Sequence, residues 1–324
     1  MRSMTLIELI EQGAAELEDV GAAFGHGTNN AFDEAAWLVL WQLGLPLDTN
    51  LDTSPDTAPG TVPNTAVAGP VSLAKRAIAP EEYAQVATIF KARVLSRKPA
   101  AYLTHEAWLQ GVPFYVDDRA IVPRSFIAEL LVDGTIDAWL GDHTARLLDL
   151  CTGNGSLAVL AAMAYPEVRV DASDVSADAL AVARINVAKH NLQARITVLL
   201  SDGLTSTQGP YDLILCNPPY VNARSMAALP AEYRAEPALA LDGNRQGGTD
   251  GMDFIRMLLR DAPAHMTPGA VLVLEIGNER DHFEAAFPRL EVVWLPTSAG
   301  MDQVLLVTVE SLLTLAHPLA GSST

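Results

Sequence analysis

The chain has 324 residues, a formal net charge of −18 and 49% hydrophobic residues. A chain of this length exceeds what one hydrophobic core usually supports, so the sequence predicts one large and one smaller domain. Its apolar runs are far shorter than the ~20 residues that span a bilayer, and its acidic N-terminal segment lacks the apolar core of a signal peptide. These features exclude a transmembrane protein and favour a cytoplasmic one.

The charge and the cysteines narrow the classes of partner. Strong acidity argues against nonspecific binding to nucleic acid, which depends on lysine and arginine, and it predicts a basic partner and no stable DNA binding. The short apolar runs predict no membrane contact. The exception is Lys75–Lys98, where six basic residues stand against two glutamates; this indicates either a solvated helix face or a contact with RNA or a partner. Cys151 and Cys216 are the only cysteines, so a disulfide framework or a cysteine-rich metal site is excluded and no metal is expected.

The first hundred residues carry a helical pattern. Apolar residues recur at spacings of three and four over residues 4–45 and again over Pro80–Ser96, which predicts helices. Between them, residues 49–72 are rich in proline and threonine and poor in large apolar side chains, which predicts a flexible insertion. From Ala101 the pattern alternates as in a strand, with a turn at Gly111. We therefore predict a helical domain over residues 1–98 and a β-hairpin linker over 99–124.

Strands and helices alternate through the rest of the chain. Predicted strands are Arg146–Leu150, Arg169–Ser173, Ile196–Leu200, Leu213–Cys216, Val271–Ile276, Glu291–Leu295 and Val304–Val309, and predicted helices cover 156–164, 176–190, 254–259 and 279–287. This alternation predicts an α/β domain over residues 125–324, in which helices cover both faces of a parallel sheet of about seven strands.

A glycine loop follows the first of these strands. Asp149–Gly155 lies between a buried strand and a helix, so its glycines allow close approach of the backbone and the helix start offers free N–H groups to a ligand. Asp174 ends the next strand, 21 residues after Gly153, where a carboxylate can accept bonds from both ribose hydroxyls. This arrangement fits either S-adenosylmethionine or a nicotinamide dinucleotide.

Two further acids can take part in cofactor binding. Asp202 ends the third strand and could accept the adenine amino group, or it could cap an ordinary loop. Asp149 precedes the glycines and could bind the methionine amino group, directly or through water, or it could brace the loop. The residues alone leave both alternatives open.

The tetrapeptide Asn217-Pro218-Pro219-Tyr220 follows the fourth strand, at the end of the sheet where ligands bind in open α/β folds. The Asn217 side-chain oxygen and the Pro218 carbonyl can each accept one N–H of a substrate NH₂ group, while two prolines fix the backbone and remove its donors. Tyr220 can stack on a planar amide. This turn predicts methyl transfer to a planar amide or amine nitrogen, for which positioning matters more than a strong base. The second half of the chain offers no comparable set of groups for a dehydrogenase.

In its motifs the chain resembles the protein-(glutamine-N5) methyltransferases, which act on glutamine side chains of translation proteins. The matching motifs are Asp149–Gly155, Asp174–Ser176 and Asn217–Val221, and the similarity spans nearly the whole chain. One branch of the family methylates the Gly-Gly-Gln motif of peptide-chain release factors, and the other methylates a glutamine of ribosomal protein L three in the large (50S) subunit. Segments similar to the ribosomal branch are Phe24–Ala35, Leu45–Asp48, Ala101–Thr104 and Val122–Ser125.

The resemblance implies a seven-stranded Rossmann-like class I methyltransferase domain, S-adenosylmethionine as cofactor with S-adenosylhomocysteine as product, and a preceding helical domain that recognises the protein substrate. The implied catalytic and substrate-binding residues are Asn217, Pro218, Pro219 and Tyr220. Pro123 and Arg124, at the border of the site, are also implied to bind the substrate. Gly243–Gly247 is inserted relative to the family and is expected to alter substrate reach without touching the chemistry. The implied cofactor-binding residues are Asp149, Cys151, Thr152, Gly153, Asn154, Gly155, Asp174, Val175, Asp202, Gly203 and Asn217.

Three alternatives share part of this pattern. The first is methylation of a release factor. The second is an adenine-N6 DNA methyltransferase, which would use the same tetrapeptide on a flipped base but would carry a basic DNA-recognition region. The third is a noncatalytic ribosome-assembly factor, which would not need an intact tetrapeptide and ribose acid. A basic ribosomal protein, free before or during assembly, fits the acidity best because opposite charges steer association.

Overall fold

Two units make up the chain in the computed structural model, Met1–Thr104 and His105–Thr324. The structure describes residues 3–52, 72–141 and 143–316. Most of the predicted insertion at 49–72, namely residues 53–71, lies outside the described residues. The domain boundaries predicted at residues 98 and 124 stay predictions, as does the role of the first domain in substrate recognition.

The described part of the first unit is helical. Thr5 and Glu8 form a capping box at the start of the first helix, and Asn30 accepts a hydrogen bond from the Asp33 N–H at the start of the second, so the sequence itself marks both starts. The apolar faces of the three longer helices pack into one core. The helices are α1 (Leu6–Asp19), α2 (Ala31–Gln42), α3 (Pro80–Ser96) and α4 (Ala100–Thr104).

The short helix α4 corrects one prediction. The sequence pattern predicted strand character from Ala101 onwards, but Ala100–Thr104 is helical, and the Tyr102 N–H donates to the Pro99 carbonyl at 3.0 Å. Ala100, Ala101 and Tyr102 are buried. Tertiary burial therefore decides the conformation of this segment against the local alternation.

The second unit begins with an antiparallel hairpin, β1 (Ala107–Leu109) and β2 (Val112–Phe114), where the sequence predicted one. The strands that follow are β3 (Arg146–Leu150), β4 (Arg169–Asp174), β5 (Ile196–Leu200), β6 (Tyr211–Cys216), β7 (Met266–Glu275), β8 (Val293–Thr297) and β9 (Gly300–Thr308). The helices are α5 (Ile127–Val132), α6 (Ser156–Ala164), α7 (Ala177–Lys189), α8 (Ala223–Ala228), α9 (Ala231–Arg234), α10 (Asp253–Asp261), α11 (Arg280–Ala286) and α12 (Val309–Ala316), with 3₁₀ turns at Asp137–Trp139, Ala238–Ala240 and Ala262–His265.

Strands β3 to β9 form one seven-stranded sheet in the order β5-β4-β3-β6-β7-β9-β8. The pairs along β5, β4, β3, β6 and β7 are parallel, and β9 runs antiparallel to both of its neighbours. The chain moves outward from β3 in one direction and then returns to build β6 on its other side. This reversal between β3 and β6 is a topological switch point, where open α/β sheets bind ligands at the carboxyl ends of their strands.

Two apolar layers cover the sheet because its central strands are apolar on both faces. Leu147, Leu213 and Leu215 pack on one side with α5 and α6. Leu148 and Ile214 pack on the other side with α10 and α12. The alternation along each strand sends successive side chains to opposite layers. The predicted α/β class with a seven-stranded Rossmann-like sheet after a helical region is confirmed.

Some details of this unit differ from the sequence predictions. Strand β7 begins at Met266, five residues before the predicted start, because Pro268 and Gly269 are accommodated inside a strand. Helices α5, α8, α9 and α12 had not been predicted, since short helices leave little periodic signal. Within the described residues, no helix has the length and apolar character needed to span a membrane.

Candidate active site

A cleft opens at the carboxyl ends of β3, β4, β5 and β6. Its lining includes Leu150 at the end of β3 and Cys151 after it, Asp174 at the end of β4, Ser201 after β5 and Asn217 after β6. The sheet therefore brings together, at its switch point, residues that lie far apart in the sequence. This is the region in which the glycine loop and the tetrapeptide were expected to meet.

The glycine loop leads from β3 into α6. Gly153 and Gly155 adopt positive φ angles of 54° and 82°, a region that suits glycine. A Cβ on Gly155 would lie 3.1 Å from the Ala183 Cβ, whereas a Cβ on Gly153 would meet nothing within 4 Å. Gly155 therefore allows α6 to approach α7 closely, while Gly153 leaves the cleft side of the loop open.

Asp149 lies beneath this loop and is fully buried. Its Oδ2 accepts hydrogen bonds from the Thr152 hydroxyl at 2.5 Å and the Ala158 N–H at 2.9 Å. Burial raises the pKa of Asp149 to about 7. Its Oδ1 has no hydrogen-bond partner among the described residues. The carboxyl group thus braces the loop through one oxygen and keeps the other as a buried acceptor.

Asp174 lines the cleft at the end of β4. Its Oδ2 accepts from the Gly153 N–H at 2.9 Å, and its Oδ1 accepts from the Ser176 N–H at 2.8 Å. Burial raises the pKa of this carboxyl, while these backbone bonds act in the opposite direction. The two contacts hold the carboxyl against the glycine loop in a defined orientation.

The two thiols lie at the floor of the cleft. Cys151 follows β3 and lines the cleft, and Cys216 is fully buried at the end of β6. Contact with the Cys216 thiol, together with burial, raises the pKa of Cys151 well above its usual range. Both are free cysteines, and the neutral thiol of Cys151 has little nucleophilic character.

The tetrapeptide continues directly from β6. Asn217 is half-buried and lines the cleft, and so does Pro219, whereas Pro218 is buried behind it. Within the part of the chain that the structure describes, the Asn217 side chain makes no hydrogen bond. Its amide therefore remains available to a molecule in the cleft.

Tyr220 packs against two glycines. A Cβ on Gly277 would lie 2.7 Å from the Tyr220 Cε2 atom, and a Cβ on Gly251 would lie 2.1 Å from the Tyr220 carbonyl oxygen. Only glycine fits these two positions without a shift of the tyrosine. Burial, with the nearby Glu275, raises the pKa of Tyr220, so its phenol is neutral.

The segment Gly243–Gly247 lies next to the tetrapeptide. The Gly243 N–H and the Asn244 side-chain amide donate to the Val221 carbonyl at 3.2 Å and 3.0 Å. The Asn244 Oδ1 accepts from the Gly251 N–H at 2.8 Å, and Arg245 lines the cleft. The insertion therefore braces the residue after Tyr220 and adds a cation to the cleft. The expectation that it alters substrate reach without touching the chemistry stays a prediction.

Glu275 ends β7 and is buried behind Tyr220. Its carboxyl accepts from the Ser125 hydroxyl at 2.5 Å and the Phe126 N–H at 2.9 Å. Burial raises the pKa of Glu275 to about 7. This contact fixes the segment that follows Pro123 and Arg124 onto the central sheet.

Half of the predicted site residues line the cleft, and the other half are not part of its lining. The structure brings together in the cleft Cys151, Gly153, Asp174, Val175, Asp202, Gly203, Asn217 and Pro219. Those outside the lining are Asp149, Thr152, Asn154, Gly155, Pro218, Tyr220, Pro123 and Arg124. Their roles in binding and catalysis stay predictions.

Sequence reasoning missed other parts of the lining. Leu150 and Ser176 lie inside predicted motifs and Ser201 precedes Asp202, so their positions in the chain could have identified them. The remaining lining residues carry no local signal, because tertiary contacts bring them to the cleft; they are Arg119, Ala120, Ile121, Ala179, Pro237, Leu239, Ala240, Arg245 and Phe254. Within residues 3–52, 72–141 and 143–316, no group of three or more His, Cys, Asp or Glu side chains is arranged to hold a metal ion.

The strand order and the antiparallel β9, with a glycine loop after β3 and Asn-Pro-Pro-Tyr after β6, define a class I methyltransferase domain. In agreement, the family model of the methyltransferase small domain matches residues 128–236. The chain is 50% identical over 313 residues to the ribosomal protein uL3 glutamine methyltransferase of Bordetella pertussis, covering 95% of this chain and 96% of that protein. It is 46% identical to the protein of the same name from Burkholderia pseudomallei, over 95% of each chain. It is 43% identical to that of Neisseria meningitidis serogroup A, over 95% of this chain and 94% of the relative. The chain belongs to the family of ribosomal protein uL3 glutamine methyltransferases.

Proposed function

We propose that this protein transfers a methyl group from S-adenosylmethionine to the side-chain amide nitrogen of a glutamine in ribosomal protein uL3. The proposal depends on one observation: Asn217 lines the cleft at the carboxyl end of β6, and its side-chain amide makes no hydrogen bond within the described residues. Family membership supports the choice of glutamine in uL3.

The residues of the cleft fit S-adenosylmethionine. The Asp174 carboxyl would accept the ribose hydroxyls, Asp202 would accept the adenine amino group, and the open side of Gly153 would allow the ligand close to the backbone. The buried Asp149 Oδ1 has no partner among the described residues, and an ammonium group of the methionine moiety would satisfy it. The cofactor supplies a sulfonium-bound methyl group as the electrophile.

The chain's own contribution is to hold a poor nucleophile in a reactive orientation. The Asn217 side-chain oxygen and the Pro218 carbonyl would each accept one N–H of the substrate amide, which fixes the plane of the amide and the direction of its lone pair. Pro218 and Pro219 stiffen this turn, and the neutral Tyr220 ring would pack on the amide face. The methylated nitrogen would then lose a proton to water, so no strong base is needed.

Charge supports a protein substrate over DNA. The chain has a net charge of −18, and its basic stretch Lys75–Lys98 is partly neutralised within the first unit. Arg76 pairs with Glu82, Arg93 donates to the buried Glu34 at 2.7 Å, and Arg97 donates to the Val20 and Gly21 carbonyls. We therefore propose that the partner is the basic ribosomal protein itself, met in the cytoplasm before or during ribosome assembly.

The proposal is tested by incubating the protein with methyl-labelled S-adenosylmethionine and one acceptor at a time: free uL3, assembled 50S subunits, a release factor or DNA. We expect label in free uL3, located on a glutamine by mass spectrometry, and little label in the other acceptors. Label in the release factor alone would overturn the choice of substrate, and label in DNA alone would overturn the choice of a protein. The Asn217→Ala variant should lose turnover while still binding S-adenosylhomocysteine; full activity of this variant would refute the role of Asn217.

A further inference from the structure

Two walls of the cleft come from segments that contain neither a strand nor an α-helix. One wall contains Arg119, Ala120 and Ile121, which lie between β2 and α5. The other is the stretch Pro237–Ala240, which follows α9 and contributes three lining residues. Neither wall belongs to the sheet, so strand pairing does not fix the distance between them.

An ion pair joins these two walls. Arg124 donates from both terminal nitrogens to the two Glu236 carboxyl oxygens, each at 2.6 Å, and the Val122 N–H donates to the same carboxyl at 2.9 Å. We call Arg124, Glu236 and the Val122 N–H the clamp. The clamp begins one residue after Ile121 and ends one residue before Pro237, so it ties the two lining segments at their ends.

The clamp is more deeply buried than the Arg119–Asp117 and Arg146–Asp171 ion pairs of the same unit. The Glu236 side chain is 0% exposed and the Arg124 side chain 24% exposed. The guanidinium also lies over the Tyr233 ring, 5.4 Å from its centroid. Although burial acts in the opposite direction, Glu236 raises the pKa of Arg124. A buried, bidentate arginine–carboxylate pair is geometrically specific, and removing one partner leaves an uncompensated charge.

We propose that Arg124 and Glu236 are positioning residues that hold the two walls of the cofactor cleft at the separation the cofactor requires. This inference rests on the proposed use of S-adenosylmethionine. It assigns Arg124 a different task from the predicted contact with substrate, because both of its terminal nitrogens are engaged by Glu236. When the clamp is broken, the fraction of molecules with a binding-competent cleft falls, and the apparent affinity falls by the same factor.

Two conservative variants distinguish a loss of the clamp from a general loss of folding, because each keeps a polar side chain of similar size. Glu236→Gln keeps an acceptor for the Val122 N–H but places an amide NH₂ against the Arg124 donors. Arg124→Lys keeps the charge but loses the bidentate geometry. The matched control is Asp171→Asn, which breaks a partly buried ion pair with Arg146, in which nitrogen and oxygen are 2.9 Å apart. This pair joins β3 and β4 away from the carboxyl ends at which the cleft lies.

The first measurement is calorimetric binding of S-adenosylhomocysteine to the full-length protein. We expect about tenfold weaker binding in both clamp variants, which corresponds to roughly 1.4 kcal/mol, and unchanged binding in Asp171→Asn. In turnover assays, the KM for S-adenosylmethionine should rise by the same factor while kcat at saturation is largely kept. Wild-type affinity in both clamp variants, or an equal loss in the control, would overturn the proposal.

The second measurement is hydrogen–deuterium exchange of the ligand-free protein, which is independent of the proposed function. Because the clamp joins the walls, Arg124→Lys should speed exchange in residues 236–240, and Glu236→Gln should speed it in residues 119–124. Faster exchange only around the substituted residue would refute the clamp. If the wild-type protein failed to bind S-adenosylhomocysteine, the proposed cofactor would be wrong, and the exchange data alone would decide whether the walls are coupled.

Discussion

Gly251→Ala tests whether the position of the tetrapeptide controls the reaction. Gly251 has a φ angle of +80°, and a Cβ there would lie 2.1 Å from the Tyr220 carbonyl oxygen, 3.0 Å from its carbonyl carbon and 3.2 Å from the Asn222 nitrogen. These are backbone atoms, so rotation of a side chain cannot relieve the overlap. Ordinary contact begins at 3.4 Å, so the Tyr220 carbonyl must shift by about 1.3 Å, the difference between 3.4 and 2.1 Å.

This shift reaches Asn217 through two prolines, which transmit a displacement because their backbone is stiff. A displacement of about 1 Å in a reacting geometry can reduce the rate roughly 100-fold. We therefore expect kcat for uL3 methylation to fall by about that factor in Gly251→Ala. Binding of S-adenosylhomocysteine should change little, because Gly251 does not line the cleft.

The control for this variant is Gly269→Ala. Gly269 has nearly the same φ angle, +79°, but a Cβ there would meet nothing within 4 Å. Both variants should lose about 1–2 kcal/mol of stability from the positive φ angle, and Gly251→Ala should lose more because of its overlap with the Tyr220 backbone. Stability is measured by urea unfolding, and only Gly251→Ala should lose kcat in an initial-rate assay with labelled cofactor. Equal kcat values in the two variants would refute the reasoning.

Three further predictions concern the cleft and its charges. Asp174→Ala should weaken S-adenosylhomocysteine binding at least tenfold, roughly 1.4 kcal/mol, because it removes both the ribose acceptor and the bond to the Gly153 N–H; calorimetry showing wild-type affinity would contradict this. Since burial raises the pKa of Asp149 from 3.8 to about 7, the protonated acid stabilises the ligand-free fold at low pH, and this contribution is lost as pH rises between about 4 and 7. Between about pH 4 and 7 the free energy of unfolding, measured with urea, should therefore fall less in Asp149→Asn than in wild type, by on the order of a few kcal/mol. Parallel plots of unfolding free energy against pH for the two proteins would contradict this. Finally, kcat/KM for free uL3 should fall as the salt concentration is raised from about 50 to about 500 mM, because screening weakens the attraction between an acidic enzyme and a basic substrate. A kcat/KM that does not change with salt would argue against electrostatic steering.

Elements with strong local signals were predictable to the residue. Helix α3 begins at Pro80, the favoured first position of a helix, and it ends at Ser96 as the apolar spacing indicates. Strand β3 and helix α6 have the predicted bounds Arg146–Leu150 and Ser156–Ala164, because a short apolar run, a glycine loop and a long apolar helix follow one another without ambiguity.

The walls of the cleft were not predictable, for a physical reason. Arg119–Ile121 and Pro237–Ala240 have no periodic pattern and no motif, and a contact between residues 112 positions apart joins them. Such a contact depends on the whole fold, so neither segment carries it as a local preference. The same holds for Arg245, which the loop from Gly243 to Gly251 brings to the cleft.

The charge of the chain and the chemistry of its site are separate properties. The groups proposed to hold the substrate amide are neutral acceptors, the Asn217 side-chain oxygen and the Pro218 carbonyl. Two fully buried acids of this unit, Asp149 and Glu275, have pKa values raised to about 7, so near neutral pH neither is a full negative charge. A neutral site of this kind would accept any planar NH₂ group, whether of glutamine or of adenine. Selection of uL3 must therefore come from surfaces outside the tetrapeptide, and it should be possible to change the substrate while leaving Asn217 to Tyr220 intact.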